Sequence, residues 1–238
     1  MSATTYKDKY KVMSDKPVLT IALSKGRILD QTLPLLEFAD LMPVEDVQTT
    51  RKLMVDGPED WAGSKIRFLI IRAADVCTYV EQGAADLGIT GRDILLESRP
   101  HVYEPLDLQI GKCRLCICGP KDSVEAGDSG AARGRIRIAT KYDHLAEQHY
   151  LEEGIHADVI HLYGSMELAP LVGMADRIVD LVETGGTLKA NGLVEEETLF
   201  DISSRLIANP ASFVTKKAQV QAVIGRLRQA VEQREMIK

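Results

Sequence analysis

Short apolar runs, each followed by a helical spacing, recur along this chain. Residues 19–23 form the first run and predict a buried strand. Ser24, Lys25, Gly26 and Arg27 follow it; then Ile28, Leu29, Leu33, Leu36 and Ala39 share one helical face, with Pro34 placed to kink the helix. A shorter run at 53–55 comes after Arg51 and Lys52. Residues 66–71 read as a strong strand closed by Arg72, and Val76, Tyr79 and Val80 mark a helix ending at Gly83. Runs at 106–110 and 113–118 predict two strands that cross into a second half. In that half, 135–140 alternates as a strand, 144–153 is helical up to Gly154, and 159–163 is a further strand. Residues 199–208 contain a strand that returns to the first half. Val220, Val223, Ile224, Leu227 and Val231 then recur on one face of a final amphipathic helix.

One pattern occurs twice. Residues 79–91 read Y-V-E-Q-G-A-A-D-L-G-I-T-G and residues 171–185 read L-V-G-M-A-D-R-I-V-D-L-V-E-T-G. Each runs helix, G-x-A-D, buried strand, then T-G. Two copies do not make a solenoid. They predict an α/β fold of two similar lobes, each a mostly parallel sheet with helices, offering strand C-termini to a shared cleft. The expected division is a loose tail at 1–16, lobe I at 17–107 plus 195–238, and lobe II at 108–194. A Gly-, Ser-, Asp- and Ala-rich stretch at 121–134 reads as a flexible loop.

Composition narrows the classes. The chain has 238 residues, 45% hydrophobic and 27% charged, which is ordinary globular usage. No apolar run approaches the roughly 20 residues that span a bilayer, and the first sixteen residues lack the apolar core of a signal peptide. A cytoplasmic protein without membrane contact is expected. A net charge of −6 disfavours nucleic acid as a partner. Cys77, Cys113, Cys116 and Cys118 lack a companion ligand pair, so they read as small core residues and no protein metal site is expected.

The chemistry concentrates at 176–192, D-R-I-V-D-L-V-E-T-G-G-T-L-K-A-N-G. An apolar strand is interrupted by Asp180 and ended by Glu183, and neither carboxylate would be buried without a purpose. Thr184, Gly185, Gly186 and Thr187 then turn the chain into a short helix starting near Leu188. Backbone N–H groups and two hydroxyls converge there, which suits a phosphate, and the acidic pair would lie beside its sugar. A Walker A loop and a G-x-G-x-x-G fingerprint are both absent. The turn resembles the phosphoribosyl-pyrophosphate (PRPP) loop of phosphoribosyltransferases. The commonest class of these has two adjacent acidic residues before the turn, and here Val179 occupies the first position.

Four ordered motifs together resemble the ATP phosphoribosyltransferase family: S-K-G-R-I at 24–28, G-A-A-D-L-G-I-T-G at 83–91, G-S-M-E-L-A-P at 164–170 and D-L-V-E-T-G-G-T-L-K-A-N-G-L at 180–193. The resemblance implies a periplasmic-binding-protein-like pair of lobes with the active site between them. It also implies the first reaction of histidine biosynthesis, joining N1 of ATP's adenine to C1 of PRPP with loss of pyrophosphate, and Mg²⁺ on the pyrophosphate. On this resemblance, Asp180, Glu183, Thr184, Gly185, Gly186, Thr187 and Leu188 bind PRPP, and Arg27 and Arg51 act on the polyphosphates. Lys25, Gly26, Arg72, Tyr142 and Glu167 face ATP. The family's long form adds a ferredoxin-like regulatory domain. This chain is similar to the short form, for which a homodimer and a regulatory subunit resembling histidyl-tRNA synthetase are implied partners. A solute-binding module of the same shape and a transferase acting on another base are the rival readings.

Overall fold

The computed structural model describes residues 16–126 and 135–236. The expected tail, apart from Lys16, and the expected loop from residue 127 onward lie outside them. The start of that loop is ordered as a short helix, α4 (Lys121–Glu125).

The first lobe is a six-stranded sheet. In chain order it holds β1 (Val18–Ser24), β2 (Met54–Asp56), β3 (Lys65–Ile71), β4 (Leu87–Gly91), β5 (Tyr103–Asp107) and, from the far end of the chain, β11 (Ser204–Ala208). Their spatial order is β2-β3-β1-β4-β11-β5. Helices α1 (Arg27–Phe38), α2 (Val76–Glu81), α3 (Arg92–Ser98), α8 (Pro210–Thr215) and α9 (Lys217–Met236) cover it. Leu19, Ile21, Leu35, Leu36 and Phe68 bury against Val220, Val223, Ile224 and Leu227, so the final helix closes the first lobe's core as its spacing predicts.

The second lobe is a five-stranded sheet of β6 (Cys113–Pro120), β7 (Arg135–Thr140), β8 (His156–His161), β9 (Arg177–Val182) and β10 (Leu193–Ile202), ordered β10-β6-β9-β7-β8. Helices α5 (Asp143–Glu152), α6 (Leu168–Leu171) and α7 (Gly186–Ala190) join these strands. The parallel strands are central in the first sheet, whereas in the second they run out to the edge strand β8. In the first, β1 runs parallel to β3 and β4, and in the second, β7 runs parallel to β8 and β9. Antiparallel strands extend the first sheet on both sides and the second on one.

The crossing back to the first lobe comes later than residue 195. Strand β10 pairs antiparallel with β6 as far as Ile202, at the sheet's edge. Its Glu195, Glu196 and Glu197 disguise it in the sequence, because charge is tolerated, and useful, on an edge strand. The two crossings bind each other: Leu108 N–H donates to the Ser204 carbonyl at 3.0 Å and Ser204 N–H to the Ile110 carbonyl at 2.8 Å.

The duplicated motif has a structural counterpart. In the first lobe Asp86 Oδ2 accepts the Thr20 N–H of β1 at 2.8 Å, while Asp86 N–H donates to the Thr20 carbonyl at 2.9 Å. In the second, Asp176 Oδ2 accepts the Arg137 N–H of β7 at 2.9 Å, and Asp176 N–H donates to the Arg137 carbonyl at 2.8 Å. Each G-x-A-D aspartate thus registers the strand it opens against its parallel neighbour. Each also pairs with a cation, Lys216 for Asp86 and Arg137 for Asp176.

Candidate active site

Strand β9 delivers Asp180 and Glu183 to the end of the second sheet. Gly185 then takes φ +74°, a left-handed conformation that costs other residues about 1–2 kcal/mol, and α7 starts at Gly186. Thr184 Oγ1 lies 3.4 Å from the Gly186 N–H, tightening the turn. The N–H groups of a helix's first turn have no carbonyl within the helix to meet, and α7 begins at this turn. A cavity of about 230 Å³ opens there, lined by Thr184, Gly185, Gly186, Thr187, Leu188, Asp180, Glu183, Glu167, Cys113 and Arg27.

Arg27 belongs to the other lobe. It stands at the start of α1, and its guanidinium forms an ion pair with Glu183 across the cleft. Asp180 is largely withdrawn from water. Burial pushes its carboxyl above the usual range; the Leu181 N–H, bonded at 2.8 Å, and the Lys141 ammonium oppose this, and the charges of Glu167 and Asp93 add to it.

The other basic residues gather in a second cavity, about 580 Å³, at the ends of β1 and β3. Lys25, Arg51, Lys52 and Arg72 rim it, and Leu53, Ile70 and Ile71 give it an apolar floor. Lys25 and Arg27 are therefore near neighbours in sequence that face different cavities. Gly26, at φ +105°, makes this possible by turning the chain between them. The Lys25 ammonium itself is engaged, donating to the Thr50 carbonyl at 2.6 Å.

Two residues expected at the nucleotide, Tyr142 and Glu167, do not line this basic cavity. Tyr142 is 2% exposed and lines neither cavity. Its hydroxyl donates to Asp93 Oδ2 of the first lobe at 2.7 Å. Burial first, and then the Asp93 charge, raise its pKa well above the ordinary phenol value. Glu167 precedes α6 and makes no capping bond, but it lines the cavity of the T-G-G-T turn.

Sequence reasoning passed over Cys113, which lines that same cavity, and Lys141, which follows β7 as Lys25 follows β1. A basic residue directly after a parallel strand is the signal that would have found Lys141. A larger hollow of about 680 Å³ lies at the opposite ends of β7 and β9. Its Arg135, Arg137 and Arg177 are held by Asp158, Asp176 and Glu196, so their charge is already compensated.

A glycine-turned strand-to-helix junction faced by an arginine from the opposing lobe is the geometry on which comparison with known proteins bears. A profile of the family described as ATP phosphoribosyltransferase matches residues 72–229. The chain is 52% identical over 218 residues to an ATP phosphoribosyltransferase of Pseudomonas syringae pv. syringae, covering 91% of this chain and 99% of that protein. The chain belongs to the ATP phosphoribosyltransferase family. A further family enzyme, from Pseudomonas fluorescens (strain Pf0-1), is 51% identical over the same length. Among solved structures, an ATP phosphoribosyl transferase (HisG:HisZ) complex from Thermotoga maritima matches with a TM-score of 0.77 and 31% identity, over 90% of this chain and 99% of the other. A periplasmic sulfonate-binding protein from Methylobacillus flagellatus matches with a TM-score of 0.61 at 16% identity, over 92% of this chain and 69% of its own. That likeness is one of fold, and it agrees with the two-lobed architecture expected for the family.

Proposed function

We infer that this chain transfers the phosphoribosyl group of PRPP to N1 of ATP's adenine, releasing pyrophosphate, in the first step of histidine biosynthesis. The bond to C1 forms from the adenine nitrogen as the bond to the pyrophosphate oxygen breaks, so the enzyme needs no side-chain nucleophile. Its task is to align two polyanions and stabilise charge on the leaving group. The turn from Thr184 to Thr187 holds the 5′-phosphate, and Leu188 closes the base of the cradle. Asp180 and Glu183 accept hydrogen bonds from the ribose hydroxyls. The basic cavity of the first lobe takes ATP, with the adenine over Leu53, Ile70 and Ile71 and the phosphates toward Arg51 and Arg72.

One observation supports this reading above the others: the Arg27–Glu183 pair spans the cleft at the mouth of the phosphate cradle. When PRPP enters, Glu183 exchanges the guanidinium for ribose hydroxyls. Arg27 is released beside C1, where pyrophosphate departs. Mg²⁺ takes hard oxygen ligands, which the pyrophosphate itself supplies. Bound with the pyrophosphate, Mg²⁺ would supply positive charge to the leaving group.

No helix among the described residues is long and apolar enough to cross a membrane, and a cytoplasmic location fits a biosynthetic enzyme. The Thermotoga neighbour comes from a two-protein complex, which supports a second, regulatory protein as partner here, alongside a homodimer of this chain.

The direct assay mixes the purified chain with ATP, PRPP and Mg²⁺ and follows the adduct's ultraviolet absorbance together with pyrophosphate. Pyrophosphate release with ATP and none with free bases is expected. The reverse pattern would assign the chain to another base.

A further inference from the structure

We propose that Lys25 is a positioning residue whose ammonium fixes the loop at 45–52 so that Arg51 presents its guanidinium to the cleft. This rests on the reading that Arg51 serves the polyphosphates.

The family resemblance turns Lys25 toward ATP, but its bonds point elsewhere. The ammonium donates to the Thr50 carbonyl at 2.6 Å and lies 3.5 Å from that of Gln48. An ammonium has three donors, so two directions are committed to this one loop. The Thr50 carbonyl and the Arg51 nitrogen share one rigid peptide plane. Fixing that oxygen therefore fixes the plane from which the Arg51 side chain departs.

The rest of the loop is braced in the same sense. Asp46 accepts the Thr49 hydroxyl at 2.7 Å and the Gln48 N–H at 2.9 Å, bonds that hold its carboxyl below the usual range. Gln48 Nε2 donates to Asp30 Oδ1 of α1 at 2.6 Å, and Lys52 pairs with Glu45 across the loop's ends. Lys25 is the connection that reaches Arg51's own peptide, and it comes from the strand end that also places Arg27. A single turn of chain at Gly26 thus sets both guanidinium groups, one directly and one through a carbonyl.

These bonds are exposed, so they add little to stability. Their effect lies in geometry, where a misplacement of about 1 Å at a reacting group can cost roughly 10²-fold in rate.

The test compares Lys25→Met, Lys25→Arg, Arg51→Ala and the Lys25→Met/Arg51→Ala double variant in the full chain. It reads single-turnover rate with ATP, PRPP and Mg²⁺, melting temperature, and amide exchange at 48–52 without ligand. Lys25→Met should melt as wild type, exchange faster at 48–52, and lose about 10–10² in rate. In the Arg51→Ala background the same change should add almost nothing, because both substitutions remove one function. Lys25→Arg, which keeps donors, should restore part of the loop's protection. Full additivity of the two substitutions would overturn the proposal in favour of direct contact with the nucleotide, and so would unchanged exchange at 48–52 in Lys25→Met. A wild-type rate for Arg51→Ala would instead overturn the role given to Arg51 itself, and the exchange data would show separately whether Lys25 holds the loop.

Discussion

Tyr142 of the second lobe donates its hydroxyl hydrogen to Asp93 of the first at 2.7 Å, and both are buried. The contact belongs to a wider clamp. Glu97, on the same helix as Asp93, accepts the N–H groups of His144 and Leu145 at 2.9 and 3.1 Å, so a carboxylate of one lobe caps helix α5 of the other. Arg99 adds a bond to Gln148 at 2.5 Å. Helix α3 follows the first T-G of the duplicated motif, and α7 follows the second. In one lobe that position grips the partner lobe, and in the other it lines the cavity proposed to hold the 5′-phosphate.

Tyr142→Phe should therefore act on stability and leave ATP affinity unchanged. It strips a buried carboxylate of a hydrogen-bond donor, a loss worth about 1.5–3 kcal/mol. Urea unfolding of Tyr142→Phe, Asp93→Asn and the double variant measures it. The double variant should be little worse than either single, because the two act through one bond. Weakened ATP binding in a folded Tyr142→Phe chain would return Tyr142 to the nucleotide site.

Asp180 sets function against stability. Burial raises its carboxyl pKa, so in the window above the ordinary carboxylate value the native state binds more protons than the unfolded one. Stability must then fall as pH rises through that window. Asp180→Asn removes the charge and should melt higher than wild type at neutral pH, with the gap closing as pH falls into the carboxylate range. The same variant should lose PRPP binding. Melting curves across pH, paired with PRPP titrations, read both effects, and a variant that melts lower at neutral pH would contradict the first.

Arg27 separates in the opposite way. The Arg27 and Glu183 side chains are 50% and 47% exposed, and ion pairs in such settings contribute at most about 1 kcal/mol. Arg27→Ala should melt close to wild type, yet lose about 10²–10³ in single-turnover rate if the guanidinium acts on the leaving group. A large drop in melting temperature with an intact rate would make the pair a structural tie.

Much of this was legible in the chain. The apolar runs gave the central strands, the repeated G-x-A-D gave two lobes, and T-G-G-T gave the strand-to-helix turn, because each follows from local periodicity and turn chemistry. Other features depend on how distant segments dock. Helix α3 carries Asp93 and Glu97 on the face that meets the other lobe, so its pattern looks like that of an exposed helix. Strand β10 hides behind three glutamates that an edge tolerates. Lys25 and Arg27 read as one basic pair, and only the turn at Gly26 assigns them to separate cavities.

The proposed phosphate cradle meets its sharpest test at Gly186. A Cβ there would meet nothing closer than Thr184 Oγ1 at 3.6 Å, so the fold has room for a side chain at this position, unlike the left-handed Gly185 beside it. Gly186→Asp places a negative charge where the 5′-phosphate is to sit and leaves the lobe's core untouched. Calorimetric titration of PRPP into wild type and this variant, each checked by thermal melt, should show binding lost and the melt unchanged. Wild-type PRPP affinity in the folded variant would contradict the site.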